Sequence, residues 1–417
     1  MIKAINSYEL RKNRKKDYRF LFLAFFLLIL YGASLQLVLG WYKADSYVST
    51  LLAFSYLKNG FIRRGLAGTL YDLVCTTVPI AYSYRGAVWF MWGINVLYFI
   101  SLLAFVKWAL DKIKEKEVYK GAYFFALLCF TFMIPTVCVR IGALGRADVL
   151  QIVLCLFQIY LLIEMRWEWL TIPLTAVNVM FHEGYVLMTF CAVLIVLLFR
   201  AINTEEKRKK YCLLLVLNVI VLLASTLLSL LGRMRAGTAE EYATALNTAT
   251  SINSEGAVHW NLLSMMADFC PENAPIIDDA RFVANGRKEL PIFLVCFIPA
   301  FCIFLKPMVN LFRQDAGKKR LTHITAVLLG PMLIGVEYIK YCDYGRYIFW
   351  LVFYFFVVFL SFATMNDEGA KKALGKSYIY TNVKALFILA LMMVYQPLPT
   401  CSFTLISRMI RQLVFGA

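Results

Sequence analysis

The sequence predicts an all-α, polytopic integral membrane protein. It reads as a single membrane domain over residues 1–417, with about 11 transmembrane helices, an interfacial helix in the first external loop and a large external loop at 232–290. Hydrophobic residues make up 61% of the 417 and charged residues only 17%, and the mean hydropathy of +0.68 lies outside the range of soluble domains. Apolar runs recur along the whole chain, many of them long enough to cross about 30 Å of hydrocarbon at about 1.5 Å per residue. The loops between them alternate in basic content, and threading the chain by that alternation puts 27 of the 43 Lys and Arg on the cytoplasmic side and 16 outside.

The N-terminal stretch to Arg19 carries seven Lys or Arg and precedes the apolar run Phe20–Gly40, so the N-terminus is expected in the cytoplasm. That run has no small-residue cleavage site and reads as a retained helix. Trp41–Gly86 is then external, with an amphipathic helix at Tyr47–Leu57 lying along the interface and the basic, glycine-spaced stretch Lys58–Thr69 after it. Ala87–Val106 returns to the lysine-rich turn Lys107–Lys120, Gly121–Val139 goes out, and Val149–Ile163 comes back to Arg166.

Trp169–Phe199 is longer than one span needs and is interrupted by His182-Glu183-Gly184. We expect a short outward helix, a turn at the external surface and a second helix inward, because only then does the basic run Arg200–Lys210 fall inside. Tyr211–Leu231 goes out to the large loop, and Pro291–Leu305 returns to a loop ending in Lys318-Lys319-Arg320. Leu321–Ile339 exits, Tyr347–Thr364 re-enters, Lys371–Lys384 is cytoplasmic and Ala385–Gln396 makes the last crossing.

The formal charge of +17 is first accounted for by topology and anionic headgroups, so no nucleic-acid partner is expected. Most of the 11 cysteines fall in apolar runs, where Cys behaves as a small hydrophobe. There is no CxxC spacing, and neither a metal site nor a cofactor is expected.

With this topology the polar clusters at helix ends collect on the external side. They are Asp45, Arg63, Arg64, Arg140, Arg146, Asp148, His182, Glu183, Asp343 and Arg346. Ionisable groups beside a bilayer are costly and are usually paired or functional. Arg63 and Arg64 also fit a headgroup anchor, Asp148 with Arg146 and Asp343 with Arg346 also fit local ion pairs, and His182 with Glu183 also fits a polar kink. His259 and His323 read as ordinary loop residues. Taken together, converging arginines suit phosphate, since the planar fork bonds bidentately and stays charged. The carboxylates or His182 would supply a base.

An acidic residue after the first span, an interfacial helix, an arginine-bearing first loop, many spans and one large late loop resemble the GT-C class of membrane glycosyltransferases. Within it the plan is most similar to Wzy-type O-antigen and capsule polymerases. The resemblance implies glycan transfer from a polyprenyl pyrophosphate at the periplasmic face of the bacterial inner membrane. It further implies Arg63, Arg64, Arg140, Arg146 and Arg346 on the pyrophosphate, His182 or Glu183 as base and Asp45 as the first-loop acid, with Asp148 and Asp343 in support. Implied partners are the lipid-linked glycan, membrane lipid and a chain-length regulator or other glycan-assembly proteins. No DxD stands in the first external loop, which argues against metal-dependent members. The rival expectation is a transporter or flippase of lipid-linked or anionic substrates, whose charges would sit near the bilayer midplane at broken helices.

Overall fold

The computed structural model describes residues 2–38, 52–61, 64–78, 82–138, 148–231, 301, 304–311, 318–340 and 344–377. Among these residues every regular element is a helix. In chain order they are α1 Ile2–Val38, α2 Tyr56–Asn59, α3 Gly65–Thr77, α4 Tyr84–Lys112, α5 Lys116–Thr136 and α6 Asp148–Glu164. After a 3-10 turn at Glu168–Leu170 come α7 Thr171–Phe181, α8 Tyr185–Met188, α9 Phe190–Asn203 and α10 Arg208–Leu231. The described part closes with α11 Lys318–Lys340, α12 Tyr344–Thr364 and α13 Glu368–Ser377.

Four helical stretches among these residues are long and apolar enough to cross a membrane alone: Arg14–Ser34, Tyr84–Lys112, Lys116–Thr136 and Glu205–Leu231. A fifth is added if Ile348–Thr364 and Glu368–Gly375, bent by 116°, form one span. The expected last crossing Ala385–Gln396, the loop 232–290 and nearly all of Pro291–Leu305 lie outside the described residues, as do residues 47–51 of the interfacial helix expected at Tyr47–Leu57; in its described half residues 53–55 are not helical and α2 starts only at Tyr56. Where Lys371–Lys384 is expected as a loop, helix α13 occupies its first part.

The chain divides into two compact units. The first comprises Met1–Gln36, Leu102–Val139 and Gly286–Ala417. Here α1 runs parallel to α5: the Tyr123 hydroxyl donates to Asp17 O at 3.1 Å, and Phe25 meets Phe130 edge-on at 5.2 Å. Helix α5 is buried over 94% of its apolar window, and α12 lays Phe349, Trp350, Phe353, Tyr354 and Phe356 into the same core. Asp367 starts α13 by accepting from Ala370 N at 2.8 Å. The same carboxylate oxygen lies 2.9 Å from His323 Nε2, both side chains being 1% exposed. His323 is therefore not the loop residue the sequence suggests; it sits inside α11 as half of a buried pair. Helix α13 packs on α5 at Gly121, where a Cβ would overlap the Leu374 carbonyl.

The second unit comprises Leu37–Ser101 and Arg140–Asn285, and its side-chain bonds fix the direction of each helix. Gln158 Nε2 in α6 donates to Thr171 O at 2.9 Å, whereas Gln151, two turns earlier, donates to Asn178 O at 2.8 Å. Rising numbers in α7 meet falling numbers in α6, so the two are antiparallel. Cys155 reaches Thr189 O at 3.6 Å and Arg200 Nε reaches Leu162 O at 3.1 Å, so α9 runs with α6. Lys210 meets Glu168 at 2.8 Å and Asn218 meets Thr175 at 2.8 Å, so α10 runs with α7. The stretch 169–199 is thus two antiparallel arms, α7 and then α8 with α9, with a reversal at 182–184. The outward arm α7, with 11 residues, rises only about 17 Å, and on the return α8 is followed by α9, whose 14 residues rise about 21 Å.

Burial pushes the Glu168 carboxyl up, but the Lys210 ammonium and the Tyr211 hydroxyl more than offset this and hold it below the usual carboxylate range. Its contribution to stability is therefore present above the ordinary carboxylate value of about 4.3 and is lost as pH falls through the lower folded value. The thermal-stability gap between the wild type and Lys210→Met should narrow as pH is lowered from about 7 to about 3. Gly121→Ala should cost about 1–3 kcal/mol by overpacking. Gly93→Ala, in open space within α4, should be neutral or slightly stabilising; melting curves of the two proteins check the contrast.

Candidate functional site

The reversal between α7 and α8 is built by three residues. His182 ends α7 in an extended conformation, φ −163° and ψ 126°, with its N–H still donating to Asn178 O at 3.2 Å. Its Nδ1 accepts from Gly184 N at 2.8 Å, and its carbonyl accepts from Gln151 Nε2 at 2.6 Å. Because Nδ1 is an acceptor, the neutral ring carries its proton on Nε2. His182 is accordingly set up as a donor at Nε2, which suits an anion better than it suits proton abstraction. A Cβ on Gly184 would sit 2.8 Å from Nδ1, so the ring requires glycine there.

A ladder of buried polar groups holds the turn from below. Thr171 Oγ1 donates to Glu168 O at 2.7 Å, and Asn218 Nδ2 donates to Thr171 Oγ1 at 3.0 Å. Thr175 Oγ1 donates to Asn218 Oδ1 at 2.8 Å, and Gln158 Nε2 donates to Thr175 Oγ1 at 3.1 Å. The Gln158 carbonyl then accepts from Asn178 Nδ2 at 3.1 Å and from the Tyr185 hydroxyl at 2.8 Å. An unbonded amide in an apolar bundle costs several kcal/mol on the order of magnitude given by transfer data, so these bonds lock the register of α6, α7, α8 and α10.

Arg64 is brought to the turn by the segment around α2 and α3. The Ser55 hydroxyl caps α2 by accepting from Lys58 N at 3.2 Å, while Asn59 Oδ1 accepts from Ser55 N at 3.1 Å. Gly60 takes φ +71° to leave the short helix. Thr69 in α3 accepts from Tyr56 N at 2.8 Å, and α3 packs on α7. Arg64 itself stands at the N-cap of α3 with φ 60° and ψ 19°, a left-handed conformation that is uncommon for a residue with a Cβ and is often held at functional sites.

Its guanidinium meets Glu183 through two bonds. Nε donates to Oε2 at 2.9 Å and Nη2 donates to Oε1, with side-chain exposures of 14% and 12%. This fork geometry engages two of the five N–H donors. Nearby, Lys58 is neutralised by Asp72 at 2.6 Å and lies 4.0 Å over the Tyr82 ring.

Of the expected site residues, Arg64, His182 and Glu183 come together. Asp148 lies buried in the first turn of α6, three residues ahead of the Gln151 that binds His182 O. Asp45, Arg63, Arg140, Arg146 and Asp343 lie outside the described residues. Arg346 falls in the first turn of α12, and its side chain is outside the described part. Residues not singled out from the sequence are Lys58, Asp72 and the amides Gln151, Gln158, Asn178 and Asn218. The amides had a signal, since Gln151 and Gln158 are seven apart and share one face of an otherwise apolar helix. Among the described residues no group of three or more His, Cys, Asp or Glu is placed to hold a metal ion.

No family model, curated protein or solved structure matches the chain.

If Arg64 and Glu183 act as a unit, each single alanine variant removes the partner charge's fork contact in a largely desolvated place. The double variant Arg64→Ala/Glu183→Ala should then be less damaging than the sum of the singles, with a coupling of about 1–3 kcal/mol. Chemical or thermal denaturation of the four proteins measures it, and simple additivity would show that the fork carries no coupling.

Proposed function

We propose that the chain is a membrane glycosyltransferase that works at the external face of the bacterial inner membrane, with its N-terminus in the cytoplasm. Its donor is a saccharide on a polyprenyl pyrophosphate, and its activity is polymerisation of O-antigen or capsule repeat units. The observation that carries this reading is the Arg64–Glu183 fork at a helix reversal, next to a histidine set up to donate. An arginine held by a carboxylate keeps its guanidinium oriented, and the planar, always-charged fork is suited to phosphate oxygens.

In the reaction an acceptor hydroxyl attacks the anomeric carbon and the bond from that carbon to the pyrophosphate oxygen breaks. The leaving pyrophosphate gathers negative charge, which Arg64 and His182 Nε2–H would stabilise. Arg63, Arg140 and Arg146, of the same unit, complete the anion site in this proposal, and Arg346, which belongs to the other unit, is included only because the resemblance implies it. The hydroxyl proton passes to a carboxylate, Glu183 or Asp148, with Asp45 supporting from the first external loop and Asp343 beside Arg346. His182 moves from the base role to the leaving-group side.

A second reading, transport or flipping of lipid-linked or anionic substrates, is favoured by one observation. The outward arm α7, at about 17 Å, is shorter than about 30 Å of hydrocarbon, which would set the turn at membrane depth. The two readings part in one experiment. Arg64→Ala and Arg346→Ala should each abolish glycan chain growth on gels while the protein inserts at normal levels and lipid-linked units still reach the external leaflet. Normal chain growth in both removes the assignment, and accumulation of lipid-linked units on the cytoplasmic leaflet transfers it to a flippase.

A further inference from the structure

Away from the reversal, the first unit has a cleft of about 710 Å³ between α1 and α4, lined by the cations Arg14, Lys15, Arg19 and Lys107. Tyr18 and Phe22 form its walls, and Asp111 is the one acid in it. The cleft is built, not incidental: the Tyr18 hydroxyl donates to Asp111 Oδ1 at 2.6 Å, and Lys107 Nζ donates to Asp111 Oδ2 at 2.8 Å. Arg14 donates to Ile113 O and stacks 4.5 Å from the centre of the Tyr119 ring. Asp111 is thereby matched by Lys107, which leaves the remaining cations in excess. Lys15 and Arg19 are exposed and have no carboxylate partner among the described residues.

The second feature is apolar. Lys15, Arg19, Phe22 and Phe26 follow one another at spacings of three and four, so they share one face of α1. Phe22 is 61% exposed and Phe26 50%, with Leu23, Leu27 and Leu30 similarly open beside them. A cationic cleft thus opens directly onto an uncovered apolar track.

We propose that this cleft binds an anionic phospholipid, its phosphate held by Arg19 and Lys15 and an acyl chain lying along Phe22 and Phe26. A soluble anion would satisfy the cations and leave the track bare, whereas a zwitterionic lipid would cover the track but neutralise little charge. Basic clefts between helices at the positively charged side of a membrane protein have this chemistry. The proposal is independent of the function assigned to the helix reversal.

The test is native mass spectrometry of the purified full-length chain after exposure to equal amounts of phosphatidylglycerol and phosphatidylcholine. The wild type should retain phosphatidylglycerol preferentially. Lys15→Glu/Arg19→Glu should lower that preference by about tenfold or more, the scale expected for two basic groups near a membrane surface. Lys207→Glu/Lys209→Glu, an equal charge change in exposed residues of the other unit, should leave it unchanged. Millimolar glycerol phosphate or inorganic phosphate should not displace the lipid. Equal retention of both lipids by the wild type, equal loss in the two double variants, or displacement by free phosphate would each overturn the proposal. Should the glutamate pair impair folding, Lys15→Gln/Arg19→Gln gives the same reading with a smaller expected loss.

Discussion

Gln158 lies where three helices meet, in a core from which it is fully excluded from solvent. Its nitrogen donates to Thr171 O and Thr175 Oγ1, and its oxygen accepts from Asn178 and Tyr185. Every one of those partners belongs to the hairpin that contains the reversal. In an apolar bundle an amide cannot fall back on water, so any slip of α7 or α8 against α6 would strand several polar atoms together. That all-or-none cost, more than the packing of Leu and Ile around it, explains why a helix as short as α7 can end at a fixed place.

The fixed ending matters because the Arg64–Glu183 fork depends on both of its supports. One is the hairpin, whose turn sets the height of Glu183. The other is the Ser55–Thr69 segment, which holds Arg64 in an unusual backbone conformation. Each support has hydrogen bonds of its own: His182 bonds Gly184 and Gln151, and Tyr56 N donates to Thr69. The two side chains of the fork are therefore positioned by two separately hydrogen-bonded segments of the unit.

Much of the helical plan is legible in the sequence. Apolar runs and basic loops locate α1, α4, α5 and α10, and the polar interruption at His182-Glu183-Gly184 marks the reversal. What the sequence hides is pairing over long separations. Arg64 and Glu183 are 119 residues apart, so each can be flagged as costly near a membrane, but their union cannot be read from either stretch. His323 and Asp367 are hidden in the same way, which is why His323 reads as a loop residue until α13 folds back and buries it. Helix α3 is missed because its two glycines and its position between charged residues look like a turn, although Gly65 and Gly68 are buried in its packing.

The brevity of α7 bears on how the chain enters a bilayer. Eleven residues give too little apolar length for the segment to hold a membrane-crossing position by itself, since about 20 are needed. It has to enter with α8 and α9 as a pair, and its buried threonines find their partner Asn218 only once α10 has followed. Arg64 is synthesised far earlier and therefore waits on the emerging bundle. During that interval the fork has not formed, and its closure reports that α6, α7, α9 and α10 have assembled.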